Sequence, residues 1–174
     1  MRNKEKEDRK EAEIAIEKVI LHATTSNQEK LEKYKELLKY ITGRTPATTK
    51  AKRRIEQFNI RIGLTIGCMV TLRKSNAIEL LKRLLAGVKY TLPLSSFGNG
   101  IVNFGIKEYI QIPNVEYRRD LGILGFDVSV VLTKKGKRVV YRKLKKSKVG
   151  SRQKITREET INFMKEQFGL KLKE

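Results

Sequence analysis

The chain has 174 residues, a formal net charge of +20 and one cysteine, Cys68. That length suits a single domain able to bury about 70% of its unfolded surface, and one cysteine excludes an internal disulfide and points to a reducing compartment. No apolar run approaches the ~18 residues of a membrane span, and the opening MRNKEKEDRK lacks the apolar core of a signal peptide, so a soluble, intracellular protein without membrane contact is expected.

Residues 1–13 alternate in charge and are expected to form a charged N-terminal arm ahead of one domain spanning 14–174. IAIEKVILHA (14–23) is rich in branched aliphatics and predicts a strand. Ser26 and Glu29 have the spacing of a capping box. Leu31, Tyr34, Leu37, Leu38 and Ile41 then recur at helical spacing up to Gly43, the expected C-terminal stop. Pro46 and the threonines after it favour extended backbone, so 47–55 predicts a second strand and CMVTLR (68–73) a third. EQFNIRIGLTIG (56–67) between them has no short turn signal and is expected to be a long, protruding loop.

Asn76 with Glu79 predicts the cap of a second helix, its apolar face made of Ile78, Leu81, Leu84, Leu85 and Val88. LPLSSFGNG (92–100) predicts irregular chain. VNFGIKEYIQI (102–112) and ILGFDVSVVLT (123–133) predict strands, the latter alternating through Phe126, Val128, Val130 and Leu132. RVVYRKL either extends that strand or leaves the body. Thr156 with Glu159 is a further capping box, followed by Ile161, Met164 and Phe168 on one helical face. The order β-α-β-β-α-β-β-α implies an α+β domain: a mostly antiparallel sheet, helices packed on one face and the other face free for a partner.

The positive charge is concentrated in the middle of the chain. TGRTPATTKAKRRI (42–55) holds five cations and no acid, and TKKGKRVVYRKLKKSKVGSRQK (133–154) holds eleven cations and no acid. Self-repulsion on that scale points to a polyanionic partner, and basic segments that release counterions from phosphates give sequence-independent affinity for nucleic acid. A membrane surface fits less well, because Val139, Val140 and Tyr141 do not make a broad apolar helical face. Enzyme chemistry has little to work with. His22 is the only histidine and Cys68 the only cysteine, so a structural zinc site lacks its ligand set. FGNGIVNFG lacks the lysine and helix of a phosphate loop, and no carboxylate pair stands out. No cofactor and no metal are expected.

The stretch ITGRTPATTKAKRRIEQFNIRIGLTIGCMVTLR (41–73) resembles the universal large-subunit ribosomal protein number five family, whose pattern runs I-T-G-x-x-P-x-x-T-K-A-(K/R), F-x-I-R-x-G, I-G-x-x-V-T-L-R. EYRRDLGILGFDV (116–128) and FGIKE (104–108) are similar to further family motifs, and the lysine-rich 134–154 segment with a capped helix after it resembles the archaeal and eukaryotic type. Three positions depart from the pattern: Thr65 replaces a proline, Ile101 an asparagine and Arg44 a polar residue.

The resemblance implies a ribosomal protein in the cytoplasm. Such a protein binds 5S rRNA and large-subunit rRNA in the central protuberance beside neighbouring proteins. It meets small-subunit protein thirteen across an intersubunit bridge and approaches the peptidyl-site tRNA through a loop. Carried onto this chain, the 5S rRNA surface would comprise His22, Arg44, Thr45, Pro46, Thr48, Thr49, Lys50, Lys52, Arg53 and Arg54, with Lys50, Lys52 and Arg54 on one face of the expected strand. The threonines could donate to phosphate or meet ribose hydroxyls. Gln57, Phe58, Asn59, Arg61 and Gly63 would form the tRNA-proximal loop, with Phe58 either packing on tRNA or stapling the loop to itself. Lys134, Lys135, Lys137, Arg138, Arg142, Lys143, Lys145, Lys146, Lys148, Arg152 and Lys154 would act as a basic tail ordered by RNA. A regulator or RNA chaperone acting off the ribosome remains the alternative; it would wash off large subunits in high-salt gradients.

Overall fold

A computed structural model describes residues 13–173. The N-terminal arm therefore lies outside the described residues, apart from Glu13. The elements are β1 (Ile14–Thr24), α1 (Gln28–Thr42), β2 (Ala47–Lys50), β3 (Thr65–Leu72), α2 (Ser75–Gly87), β4 (Thr91–Pro93), β5 (Ile101–Ile106), β6 (Phe126–Lys134), α3 (Arg138–Tyr141), α4 (Arg157–Phe168) and β7 (Lys171–Lys173). Five strands form an antiparallel sheet in the order β2-β3-β1-β6-β5, and β4 pairs with β7 in parallel as a separate ribbon. The expected α+β architecture with a mostly antiparallel sheet is what the chain adopts.

Alternation along the strands sends one set of side chains inward. Val19, Leu21 and Ala23 of β1, Cys68, Val70 and Leu72 of β3, Val128, Val130 and Leu132 of β6, and Val102, Phe104 and Ile106 of β5 are all buried. They meet Leu31, Leu37, Leu38 and Ile41 of α1, Leu80, Leu81, Leu84 and Leu85 of α2, and Met164 of α4 in one continuous core. Cys68 sits in that core as a free thiol, and its burial raises its pKa.

Several boundaries differ from the sequence-based expectation, each for a local reason. α1 is capped by Asn27, whose side chain accepts the Glu29 N–H at 2.9 Å, rather than by Ser26. α2 follows β3 almost directly through Lys74, which takes a left-handed φ of 61°. Asn76 consequently falls inside the first turn and accepts a hydrogen bond from Ser75 Oγ at 3.2 Å instead of capping, and Ile78 points outward. The 102–112 stretch leaves the sheet after Ile106, and Tyr109 plugs the core from a 3-10 turn (Tyr109–Gln111), its hydroxyl accepting Arg118 N–H at 2.9 Å. The 92–100 stretch, expected to be irregular, contributes Leu92 and Pro93 to β4 and keeps a 3-10 turn. RVVYRKL does not extend β6; its first four residues form α3.

The last helix matches its expected cap. Thr156 accepts the Glu159 N–H, and Glu159 accepts the Thr156 N–H at 3.0 Å. One turn in, fully buried Thr160 donates to the Thr156 carbonyl at 2.8 Å and accepts the buried Gly100 N–H at 3.0 Å, tying α4 to the start of β5. Thr160→Val keeps the shape and strands the Gly100 donor. It is expected to lower unfolding free energy by about 1–3 kcal/mol, measurable as a lowered urea midpoint at unchanged slope.

Candidate nucleic-acid interface

The sheet face opposite the helices is open. Register defines its rows: Ala47, Met69, His22, Asp127 and Gly105 lie across the five strands, with Thr49, Gly67 and Thr24 beside them. Gly67 is required by close approach. A Cβ there would stand 2.7 Å from Thr49 Oγ1 and 2.8 Å from the Ala23 carbonyl oxygen, so the bare backbone lets the Thr49 side chain lie over β3. His22 Nε2 is 3.6 Å from Asp127 Oδ2, and its side chain is 39% exposed. Its presence on the sheet face follows from β1 occupying the centre of the sheet.

β2 is shorter than expected. It ends at Lys50, where the register slips against β3, because Lys50 pairs with Thr65 directly after Thr49 pairs with Gly67. Ala51 then turns inward, 7% exposed, and exchanges hydrogen bonds with Leu64 and Gly63 at 2.8 and 3.0 Å. Strand alternation therefore cannot place Lys50, Lys52 and Arg54 on one face, and that expectation is corrected. Residues 52–54 instead run up one arm of a finger, where Ile55 and Ile60 exchange backbone hydrogen bonds at 3.0 Å across a 3-10 turn at Glu56–Phe58.

The finger gathers the residues the sequence nominated. Lys52, Arg53 and Arg54 lie on its ascending arm, Gln57, Phe58 and Asn59 at its tip, and Arg61 and Gly63 on its return, all exposed. Arg44, Thr45 and Thr48 are exposed at its base, with Pro46 and Thr49 half-buried. Among the described residues only Arg54 of these cations makes an ion pair, with Glu56 at 3.2 Å. Phe58 is 63% exposed, which argues against its stapling the loop, and Ile62 is 71% exposed beside it. Exposed Ile62 and Met69 near these groups were not singled out from sequence alone. Ile62 and Met69 look like ordinary core residues until strand register and loop path turn them outward.

The basic segment is not a tail. It connects β6 to α4, and the chain beyond it packs back into the core through Ile155, Met164 and Leu170. Its root is held by acids: Lys134 Nζ donates to Glu159 Oε1 at 2.7 Å, Lys137 Nζ to Glu17 Oε2 at 2.7 Å, and Lys135 pairs with Glu13. Glu17 stands at a β-bulge in β1 with a 15% exposed side chain, and Arg73 Nη1 lies 4.0 Å from it. The hydrogen bond from Lys134 holds the Glu159 carboxyl below its usual pKa, and that from Lys135 does the same for Glu13. Beyond the root, Arg138, Arg142, Lys143, Lys145, Lys146, Lys148 and Lys154 are exposed, whereas the Arg152 side chain lies outside the described residues. No group of three or more histidine, cysteine or acidic side chains able to hold a metal occurs among the described residues. No helix among them is long and apolar enough to cross a membrane.

Comparison with known proteins gives a consistent result. Residues 65–163 match the C-terminus of the ribosomal protein L5 family. The chain is 45% identical over 161 residues to large ribosomal subunit protein uL5 of Nanoarchaeum equitans, covering 91% of this chain and 95% of the relative. Against the uL5 of Sulfolobus acidocaldarius it is 40% identical over 169 residues, covering 93% and 95%. Against that of Pyrobaculum aerophilum it is 44% identical over 161 residues, covering 91% and 90%.

Proposed function

The chain belongs to the ribosomal protein uL5 family, and from that membership we propose that it attaches 5S rRNA to the large ribosomal subunit through β2, the finger and the open end of β1. It is a structural, non-enzymatic constituent of that subunit, and rRNA is its partner there. The observation that carries the finer reading is the exposure together of Arg44, Lys50, Lys52, Arg53, Arg54 and Arg61 with Thr45 and Thr48. Such a surface supplies charge for phosphates and hydroxyls for ribose and phosphate oxygens, the combination by which folded RNA is recognised. His22 and Asp127 at the sheet end add groups able to meet base edges.

The finger tip extends the reading to the peptidyl-site tRNA, supported by exposed Phe58 and Ile62, which offer flat or apolar contact beside Arg61. The family resemblance adds small-subunit protein thirteen across an intersubunit bridge, with neighbouring proteins of the central protuberance, on cytoplasmic ribosomes. Residues 14–174 act as the RNA-binding unit in this reading.

A titration of the protein against Sulfolobus acidocaldarius 5S rRNA and against tRNA over a salt series tests it. Binding to 5S rRNA that persists above about 200 mM salt, while tRNA is released, is the expected result. Equal affinities that fall together with salt would leave only nonspecific charge and remove the 5S rRNA assignment.

A further inference from the structure

A concave site lies away from the finger, where the basic segment meets the end of β6. The cavity has a volume of about 490 Å³, in the range of pockets that hold small ligands. Its walls are apolar: Leu132 and Ile155 are buried, and Val140 and Val149 half-buried. Five lysines and no acid line it, with the amides of Asn99 and Gln153.

The lysines divide into two groups. Lys134, Lys135 and Lys137 are engaged by Glu159, Glu13 and Glu17, and the partly buried first and last of these pairs hold the wall in place. Lys148 and Lys154 are exposed and make no ion pair among the described residues. An apolar slot, two amides carrying both donors and acceptors, and two uncompensated cations match the parts of one nucleotide: a flat ring, its polar edge and its phosphate. A duplex cannot enter a cavity of this size, whereas a splayed single nucleotide can.

We propose that this cavity seats one unstacked nucleotide of rRNA, its base between Val140 and Val149, its edge against Asn99 and Gln153, and its phosphate between Lys148 and Lys154. This rests on the rRNA-binding reading above and adds a site remote from the finger. Anchoring of the wall by the partly buried Lys134–Glu159 and Lys137–Glu17 pairs keeps the cavity open before RNA arrives, which lowers the ordering cost of binding.

The test uses Val149→Trp, which fills the slot and leaves every charge in place. The probes are 5S rRNA and large-subunit rRNA extracted from Sulfolobus acidocaldarius. Affinity should fall about tenfold or more at an unchanged salt slope, because counterion release is unaffected. One nucleotide, protected from base- and ribose-specific reagents in the wild-type complex, should become reactive. Lys148→Gln with Lys154→Gln should instead flatten the slope by about 2.

Methyl resonances of Val140 and Val149 in the wild-type protein give a readout that needs no variant to fold; they should move with rRNA and stay put with free AMP or hexaglutamate. Full affinity and an unchanged footprint in a folded Val149→Trp protein overturn the proposal while leaving 5S rRNA binding intact. So do shifts saturated by AMP, which would mark a free-nucleotide site, or by hexaglutamate, which would mark a peptide site. Absence of any rRNA binding by the wild-type protein instead overturns the reading on which the proposal rests.

Discussion

Gly125→Ala is expected to lower the melting temperature by roughly 6–12 °C, the effect of about 3 kcal/mol in a domain of this size. Gly125 sits just before β6, where the chain returns from the 107–125 loop to pair with the end of β5. A Cβ there would stand 2.4 Å from the Lys107 carbonyl oxygen, 2.7 Å from that of Ile106 and 3.0 Å from the Lys107 carbonyl carbon. All three are backbone atoms, so no side chain can rotate away; the strands must part. Overpacking that a side chain can relieve costs about 1–3 kcal/mol, and backbone overlap belongs at or above the top of that range.

The damage should spread along the loop. Tyr109 N–H donates to the Leu124 carbonyl at 3.1 Å, next to the clash, and Arg118, whose guanidinium packs 4.0 Å over the Tyr40 ring, carries the loop onto α1. Differential scanning calorimetry measures the shift. A melting temperature within about 2 °C of wild type would show that the loop relaxes at little cost. RNA affinity of the remaining folded fraction should be unchanged, because Gly125 lies on the far side of β1 from β2 and the finger.

Lys50→Glu with Lys52→Glu should reduce affinity for 5S rRNA at least about 100-fold. Two charge-assisted contacts at ~1.5 kcal/mol each give ~3 kcal/mol, and each decade of affinity takes ~1.4 kcal/mol. The slope of log affinity against log salt should flatten by about 2 or more, since two phosphate contacts disappear. Both side chains are exposed and neither makes an ion pair among the described residues, so stability should stay within about 0.5 kcal/mol of wild type. Filter binding at several salt concentrations, with a thermal melt as control, decides it. Wild-type affinity in a folded double variant would move the RNA surface away from the finger. A smaller loss at an unchanged slope would mean that these lysines act through local structure rather than through phosphate.

Much of the architecture was legible in sequence where a strong local rule acts alone. The periodic α1, the alternating β6 and the Thr156–Glu159 cap were read with little error, because cap chemistry and side-chain period are properties of a few adjacent residues. The failures share another cause. The β4–β7 ribbon consists of three-residue strands paired across about eighty positions, which leaves no local period to detect. The Tyr109 plug looks like strand because its run is apolar and short. Whether Asn76 caps depends on where β3 ends, since a helix launched from Lys74 already contains it.

The candidate site divides the same way. Its cations could be counted from sequence, yet their arrangement on a finger depends on a register slip at Lys50 that no residue type announces. The same slip makes the difference between a flat ribbon of charge and a projecting arm. The place of the basic segment between β6 and a capped helix was legible too, whereas the acids that hold its root, Glu13 and Glu17, lie about 120 positions away and leave no local signal.

The placement of β1 in the middle of the sheet has a bearing on biosynthesis. The earliest strand to leave the exit tunnel must wait for both neighbours, and the Glu13–Lys135 pair that closes β1 on β6 spans 122 positions. At elongation speeds of ~5–20 residues per second, that is a delay on the order of ten seconds. Until then Val19, Leu21 and Ala23 can be sheltered by β3 and by the apolar faces of α1 and α2, so a unit of β1, α1, β2, β3 and α2 can collapse first while it holds an open strand edge. During that interval the nascent chain already displays the finger on the β2–β3 side, while the waiting edge of β1 faces the opposite way.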